Sequence, residues 1–337
     1  MVRPPRNSAT WGSGPEFPHD HLRAVKTMRR HARRVAGTEE TRSSSMISPA
    51  KFERLVVPLD GSRLAELAVP WARMIAEKTH AEVDLVTSLR HVTVPADSGL
   101  DHDSGESHQW ASSELNNYGV RSSTSVVTGD PALAIESVAQ ERDAGLIVMA
   151  THGRSGVARR LLGSVTDRVL HISNVPVLVV RVGVDHGPLE QDAPGTVILP
   201  IDGSEPGQSA VPVATTLARL FGAKVLLLHA VHDKSERDSG EVVLSGGPSM
   251  KDHLAAISKD LAEAGVKSDI SISYLDPKQA IVAACHAVPK SLVVMASLGA
   301  TGVGKSRRGS VADHVIHHAP SPVVVVPPRG FLGPVLE

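Results

Sequence analysis

Glycine-rich segments near the C-terminus carry the residues most suited to phosphate chemistry. GATGVGKS, from Gly299 to Ser306, matches G-x-x-x-x-G-K-[ST], in which backbone amides surround a phosphate and the lysine adds positive charge. A domain of that type also needs a later strand that ends in a Mg²⁺-organising Asp. Only residues 307–337 follow, and their apolar run, VVVV, ends at Pro327. We therefore interpret the match as a chance pattern inside another kind of loop.

Two loops with matching glycines could bind the charged end of a ligand. ATHGRSGVARRLLGS begins at Ala150, and ASLGATGVGKSRRGS begins at Ala296. Glycines let the backbone approach a phosphate, exposed amides bind its oxygens, and the N-terminus of a following helix also favours an anion. The candidate ligand-binding residues are Ala150, His152, Gly153, Gly156, Gly163, Ser164 and Val165 in the first loop, and Ala296, Gly299, Gly309, Ser310 and Val311 in the second. Nearby positive charge is predicted from Arg154, Arg159, Arg160, Lys305, Arg307 and Arg308.

The loops belong to two copies of one longer sequence. ERLVVPLDGSRLAELAVPWA, from Glu53, matches GTVILPIDGSEPGQSAVPVA, from Gly195. DPALAIESVAQERDAGLIVMATHG, from Asp130, matches DPKQAIVAACHAVPKSLVVMASLG, from Asp276. Internal similarity of this length indicates two copies of one domain. Residues 1–47 are predicted to be a disordered basic tail, or sequence translated upstream of a true start at Met46. A first domain over 48–183, a linker over 184–194 and a second domain over 195–330 follow.

Each copy alternates short apolar runs with segments typical of helices. LIVMA and LVVMA are continuously apolar and β-branched, which is typical of parallel strands buried on both faces. Asp130-Pro131 and Asp276-Pro277 predict helix starts, because Asp accepts from free N–H groups and Pro suits the first turn. Polar runs such as PADSGLDHDSGESH mark a variable middle. Strands separated by helices favour two tandem, doubly wound, Rossmann-like α/β domains with parallel sheets.

An aspartate follows the first strand of each copy. Asp60 and Asp202 both stand in Asp-Gly-Ser. Ligands of open α/β sheets bind beyond the carboxyl ends of the strands, so these aspartates and the glycine loops are expected at one edge. We interpret the aspartates as ligand contacts or turn formers, and not as a catalytic pair, because they belong to separate copies. No G-x-S-x-G pattern accompanies the serines, which argues against a serine nucleophile.

In this combination the chain resembles the universal stress proteins, in their tandem two-domain form. The signature of the ATP-binding members is G-x-x-G-x₉-G-[ST] after the fourth strand, with an Asp after the first strand. The resemblance covers about residues 48–328. Ala150 and Ala296 replace the first glycine of the signature, and the two copies differ again at the expected adenine-facing strand end, where the first has Thr87-Ser88 and the second His229-Ala230.

The resemblance implies a fold, a ligand and partners. Each domain should have a five-stranded parallel sheet of order 3-2-1-4-5, and the two copies should form an internal pseudo-dimer through their last strands. Asp60 and Asp202 would contact adenosine, Ala230 would lie near the adenine, and the glycine loops would hold the ribose and phosphates of ATP. Mg²⁺ would accompany the phosphates, and two such chains could form a homodimer.

Composition narrows the classes of function. The formal net charge is −1, which gives no overall attraction to nucleic acid or anionic membranes. The single cysteine, Cys285, lies in an apolar run and is expected to be a small buried side chain. We expect a cytoplasmic protein with no membrane span and no nucleic-acid partner. The 17 histidines show no H-E-x-x-H or paired Cys/His spacing, which argues against a metal cage.

Four functions remain open from the sequence, and one of them is nucleic-acid binding through the basic tail of residues 1–45. Of the other three, the first is an ATP-binding regulator of stress response or growth, as the resemblance implies. The second is a slow ATP hydrolase, although no general base is evident at the phosphate loops. The third is an interaction module without nucleotide, if the two alanines disable the loops.

Overall fold

The two halves of the chain form the same series of strands and helices. A computed structural model describes residues 49–89, 100–151, 162–181, 193–231, 249–299 and 308–328. The strands of repeat one are β1 (Arg54–Pro58), β2 (Glu82–Leu89), β3 (Ser122–Thr128), β4 (Leu146–Ala150) and β5 (Val177–Val180). Its helices are α1 (Arg63–Glu66), α2 (Val69–Thr79), α3 (Leu100–Asn117), α4 (Pro131–Glu141) and α5 (Ser164–Ile172).

Repeat two follows with the matching elements. Its strands are β6 (Thr196–Pro200), β7 (Lys224–Ala230), β8 (Ser268–Ser273), β9 (Ser291–Ala296) and β10 (Val323–Val326). Its helices are α6 (Glu205–Gln208), α7 (Ala210–Phe221), α8 (Met250–Glu263), α9 (Pro277–Ala287) and α10 (Ser310–His318). Among the described residues, no helix is long and apolar enough to cross a membrane.

One continuous sheet joins the repeats. Its strand order is β3-β2-β1-β4-β5-β10-β9-β6-β7-β8, so each half has the predicted order 3-2-1-4-5. The pairs inside each half are parallel. β5 and β10 pair antiparallel at the centre, with Leu178 opposite Val324. The predicted Rossmann-like fold is confirmed, and the last strands pair within the chain as expected.

The strands are formed by the apolar runs of the sequence. Their side chains are apolar on both faces because helices cover both faces of the sheet. Every residue of β4 is buried, and so are the first five of β9. The buried side chains form two clusters, one containing Leu55 and Leu199 and the other Val56 and Ile198. Successive residues of one strand belong to different clusters, because their side chains point to opposite faces of the sheet.

The Asp-Pro pairs begin helices as predicted. The Asp130 carboxylate accepts hydrogen bonds from the amides of Ala132 (3.1 Å) and Leu133 (3.2 Å), and Pro131 occupies the first turn of α4. The Asp276 carboxylate accepts from the amide of Lys278 at 3.0 Å in α9. In each case the side chain satisfies an amide that has no partner inside the helix.

The variable middle of repeat one contains more regular structure than its sequence indicates. Helix α3 begins at Leu100, inside the polar run PADSGLDHDSGESH. Ala111 and Leu115 are fully buried and one helical turn apart, so they attach this polar helix to the sheet. Only two of the buried residues that the structure describes in this helix are apolar, since Ser107 and His108 are polar, and this gives a weak periodic signal in the sequence.

Candidate functional site

The Asp-Gly-Ser segments form tight turns at the carboxyl ends of β1 and β6. Asp60 Oδ1 accepts hydrogen bonds from the Ser62 amide at 3.0 Å and the Ser62 hydroxyl at 2.6 Å. Asp202 makes the same contacts with Ser204, at 3.0 and 2.7 Å. The glycine in each turn has φ of 80°, a left-handed conformation that favours glycine. The turn therefore fixes Oδ1 of each aspartate, as expected of a turn former, and the role of ligand contact stays a prediction.

In repeat two, the aspartate lies directly against the glycine loop. A Cβ atom at Gly299 would overlap Asp202 Oδ2, so any other residue here would require the carboxylate to move. A Cβ atom at Gly207 would likewise overlap Asp202 Oδ1. The structure thus brings Asp202 and Gly299 together, although they follow different strands. Gly207 was not predicted, and repeat one has Ala65 at the equivalent position, so its role is visible only in three dimensions.

The two alanines of the signature are accommodated without strain. Ala150 is the last residue of β4, and Ala296 is the last residue of β9. Neither is among the described residues with positive φ. Alanine therefore fits where the signature has glycine. The backbone at these two positions does not need the positive φ that would have made alanine unfavourable.

The second half of each loop ends at a helix with a bare N-terminus. Gly163 caps α5 and Gly309 caps α10, and neither cap has a side-chain hydrogen bond. The Gly163 amide donates to the Thr151 carbonyl at 2.5 Å, and the Gly309 amide donates to the Ser297 carbonyl at 2.7 Å. Each helix start is thereby held beside the end of the fourth strand. Ser164, Val165, Ser310 and Val311 supply the first-turn amides, which with the helix dipole favour an anion.

The second strand of each repeat places different side chains at the same edge. In repeat one, the Thr87 hydroxyl donates to the Leu59 carbonyl at 2.5 Å and lies 3.0 Å from His108 Nε2. Burial lowers the pKa of His108 below its usual value of 6.5. These two polar side chains are buried and satisfy each other, so α3 closes this side of the repeat-one site with a neutral imidazole.

Repeat two has two histidines in this region. His229 Nδ1 lies 2.8 Å from the Ile201 carbonyl, and because a carbonyl oxygen only accepts, this nitrogen carries a proton. The Nε2 atoms of His229 and His253 are buried, and neither has a hydrogen-bond partner among the described residues. Burial and the neighbouring His229 lower the pKa of His253, and Asp202 partly offsets this. Ala230, the predicted adenine neighbour, is half-buried at the end of the same strand.

Several predicted residues lie outside the part of the chain that the structure describes. They are His152, Gly153, Gly156, Arg154, Arg159, Arg160, Lys305, Ser306 and Arg307. Within the described ranges, no group of three or more His, Cys, Asp or Glu side chains is arranged to hold a metal ion. The geometry therefore places a turn carboxylate, a glycine contact and a bare helix start at one edge, and the helix start is the part that suits an anionic group.

Both repeats match one known protein family. The model of the Universal stress protein family matches residues 51–181 and 195–327. The chain belongs to the universal stress protein family. It has the tandem form, because universal stress protein Rv2005c of Mycobacterium tuberculosis is 26% identical over 302 residues, which cover 83% of this chain and 99% of that protein.

Two further relatives match different lengths of this chain. Universal stress protein MJ0531 of Methanocaldococcus jannaschii is 34% identical over 140 residues, which cover 39% of this chain and 82% of that protein. A crystal structure of a universal stress protein from Archaeoglobus fulgidus has a TM-score of 0.63 and 20% identity, and the match covers 82% of this chain and 98% of that one. At this identity, the structural likeness shows the shared fold alone.

Proposed function

We propose that both repeats bind ATP at the carboxyl edge of the sheet. The observation that carries the proposal is the approach of Asp202 to Gly299, because it joins the candidate adenosine contact to the start of the phosphate loop. The bare N-termini of α5 and α10 supply amides and a favourable dipole for the phosphates. A Cβ atom at Gly299 would meet the Asp202 carboxylate, so the missing side chain keeps this aspartate beside the start of the loop.

The predicted residues take distinct roles in this proposal. Asp60 and Asp202 contact the adenosine part, and Ala230 lies on the adenine side of the second site. The ribose and phosphates are held by the loop residues, namely Ala150, His152, Gly153, Gly156, Gly163, Ser164 and Val165 in repeat one and Ala296, Gly299, Gly309, Ser310 and Val311 in repeat two. Mg²⁺ accompanies the phosphates as their counterion, and we assign no protein ligand to it.

We propose regulation as the function of this binding. Binding of ATP would change how the chain regulates a stress or growth response, as the family resemblance implies. A slow hydrolase and an interaction module without nucleotide are the competing functions. They differ from the proposal in what happens to ATP, and one set of measurements separates all three.

The decisive experiment identifies nucleotide in the purified full-length protein. Denaturation should release an adenine nucleotide at up to two per chain, and calorimetric titration of nucleotide-free protein should show ATP binding. Gly163→Glu and Gly309→Glu place a carboxylate at each helix start, and each should abolish binding at its own repeat through charge repulsion. Gly195→Glu is the matched control, because a side chain there meets open space.

The same samples test the competing functions. Steady release of ADP that is lost in the Gly163→Glu/Gly309→Glu double variant would support the hydrolase. Protein that carries no nucleotide and gives no heat with ATP would support the interaction module and overturn the proposal. Circular dichroism of each variant should match the wild type, so that a lost fold is not read as lost binding.

A further inference from the structure

The two proposed phosphate sites each have an aspartate in the first turns of the following helix. Asp167 lies in α5, and its amide donates to the carbonyl of the N-cap Gly163 at 2.8 Å. Asp313 occupies the same place in α10, and its amide donates to Gly309 at 3.0 Å. A carboxylate here stabilises the helix dipole, but it also repels a phosphate bound at the same N-terminus.

A single arginine contacts both aspartates. Arg308 Nη2 donates to Asp167 Oδ1 at 2.7 Å and also to Asp313 Oδ1. Because both carboxylates bind one nitrogen, the two oxygens are no more than about 6 Å apart. The Arg308 side chain is only 6% exposed, whereas the aspartates are nearly half exposed. The guanidinium is thus held between helices that belong to different repeats.

This contact breaks the symmetry of the two repeats. Arg308 immediately precedes Gly309 in the second glycine loop, and Leu162 immediately precedes Gly163 in the first. The aspartates are duplicated, but the arginine is not. In the part of the chain that the structure describes, Asp167 of repeat one is therefore paired with a guanidinium from repeat two.

Among the described residues, two histidines also lie near these aspartates, and a histidine carries charge only when protonated. His171 Nδ1 lies 3.7 Å from Asp167, and His317 Nδ1 lies 3.8 Å from Asp313. Each histidine nitrogen also lies 2.7 Å from the main-chain carbonyl four residues earlier. Arg308 is therefore the permanent positive charge that the described structure places on both carboxylates.

We propose that Arg308 is a positioning residue that neutralises both helix starts and so supports nucleotide binding in both repeats. This inference rests on the nucleotide sites proposed above. Without the guanidinium, two carboxylates would lie close together at the ends of two anion-binding helices. This role predicts that replacing Arg308, a residue of repeat two, lowers the affinity of repeat one for ATP.

Arg308→Leu tests the inference, because leucine is the residue that repeat one has at this position. The full chain is titrated with ATP in an Asp202→Ala background, so that the remaining high-affinity binding reports repeat one. We expect repeat-one affinity to fall about twofold to tenfold, the range of a charge at a partly buried helix end. Arg168→Leu is the matched control, since it removes one arginine from α5 that pairs with Asp130 and not with Asp167.

A rescue experiment separates charge from packing. Asp167→Asn combined with Arg308→Leu should restore repeat-one affinity, whereas a packing defect would persist. Asp167→Asn alone should leave that affinity unchanged or raise it, and this variant still tests the inference if Arg308→Leu does not fold. Unchanged repeat-one affinity in folded Arg308→Leu, or reduced affinity in Asp167→Asn, would overturn the inference alone. Absence of ATP binding in the Asp202→Ala parent and the wild type would overturn it together with the proposed function.

Discussion

At the scale of single residues, the candidate site of repeat two depends on two glycines, because a side chain at either position would overlap Asp202. Gly299 and Gly207 allow the Asp202 carboxylate to lie against the backbone on two sides. The contact between Asp202 and Gly299 joins the turn after β6 to the loop after β9, and Gly207 lies in helix α6. Repeat one has Ala65 where repeat two has Gly207, so the aspartates of the two repeats have different surroundings.

Gly299→Ala should weaken ATP binding in repeat two. The added Cβ would overlap Asp202 Oδ2, so the carboxylate must move away from its candidate position. We expect a loss of about tenfold in affinity, or about 1.4 kcal/mol, by calorimetry in an Asp60→Ala background. Gly195→Ala, where a Cβ meets nothing, should leave the affinity unchanged. Equal affinities for Gly299→Ala and wild type would argue against the assigned place of Asp202.

The buried imidazole of His108 should make stability depend on pH. Burial lowers the pKa of His108 in the folded state below 6.5, its usual value. Between the folded-state pKa and 6.5, the unfolded chain therefore binds more protons than the folded chain. Its contribution to the free energy of unfolding is present above pH 6.5 and is lost as the pH falls below that value. Urea unfolding at a series of pH values from 5 to 8 should show a smaller slope for His108→Asn than for wild type.

The exposed His80 provides the control for this measurement. His80 has φ of 58°, a conformation that asparagine adopts readily, so His80→Asn should fold without added strain. It replaces a surface imidazole by an amide and leaves the Thr87–His108 contact in place, so it controls for the substitution itself. If His108→Asn retained the full wild-type slope, the buried imidazole would not be the group that takes up protons on unfolding.

At the scale of elements, local sequence determined most of what could be predicted. The apolar runs and the Asp-Pro pairs specify strands and helix starts through neighbours in the chain, and these predictions are confirmed. Helix α3 was missed because two buried residues in a polar run give little periodicity. The Arg308–Asp167 contact and the Thr87–His108 pair join different elements, and nothing local encodes them.

The cap of α4 should contribute measurably to stability. Asp130 accepts from two first-turn amides, and Arg168 donates to its second oxygen at 2.5 Å. Asp130→Ala should lower the free energy of unfolding by about 1 to 2 kcal/mol, as for other N-caps. Asp276→Ala, which removes one amide contact from α9, should cost about 1 kcal/mol or less. A larger loss for Asp276→Ala in urea unfolding would contradict this order.

At the scale of the whole molecule, the antiparallel pair at the centre unites the repeats. β5 and β10 pair within the chain, so these strands are already occupied inside one molecule. The Arg181 guanidinium also donates to the Ala319 carbonyl at 2.9 Å across the same boundary. A homodimer, which we keep as a proposal, would therefore need a different surface, and the outer strands β3 and β8 are the free ends of the described sheet.

Leu178→Ala should destabilise both repeats together. Leu178 is 1% exposed and pairs with Val324 at the boundary, where it belongs to the core cluster that contains residues of both repeats. Removing its buried methyl groups should cost about 2 to 5 kcal/mol. Because the sheet is continuous, calorimetry should show one transition that moves as a whole to lower temperature. Val126→Ala, on the edge strand β3 and 60% exposed, should change stability by about 0.5 kcal/mol or less. Two separate transitions, with only one of them shifted by Leu178→Ala, would mean that the central strands join the repeats without coupling their unfolding.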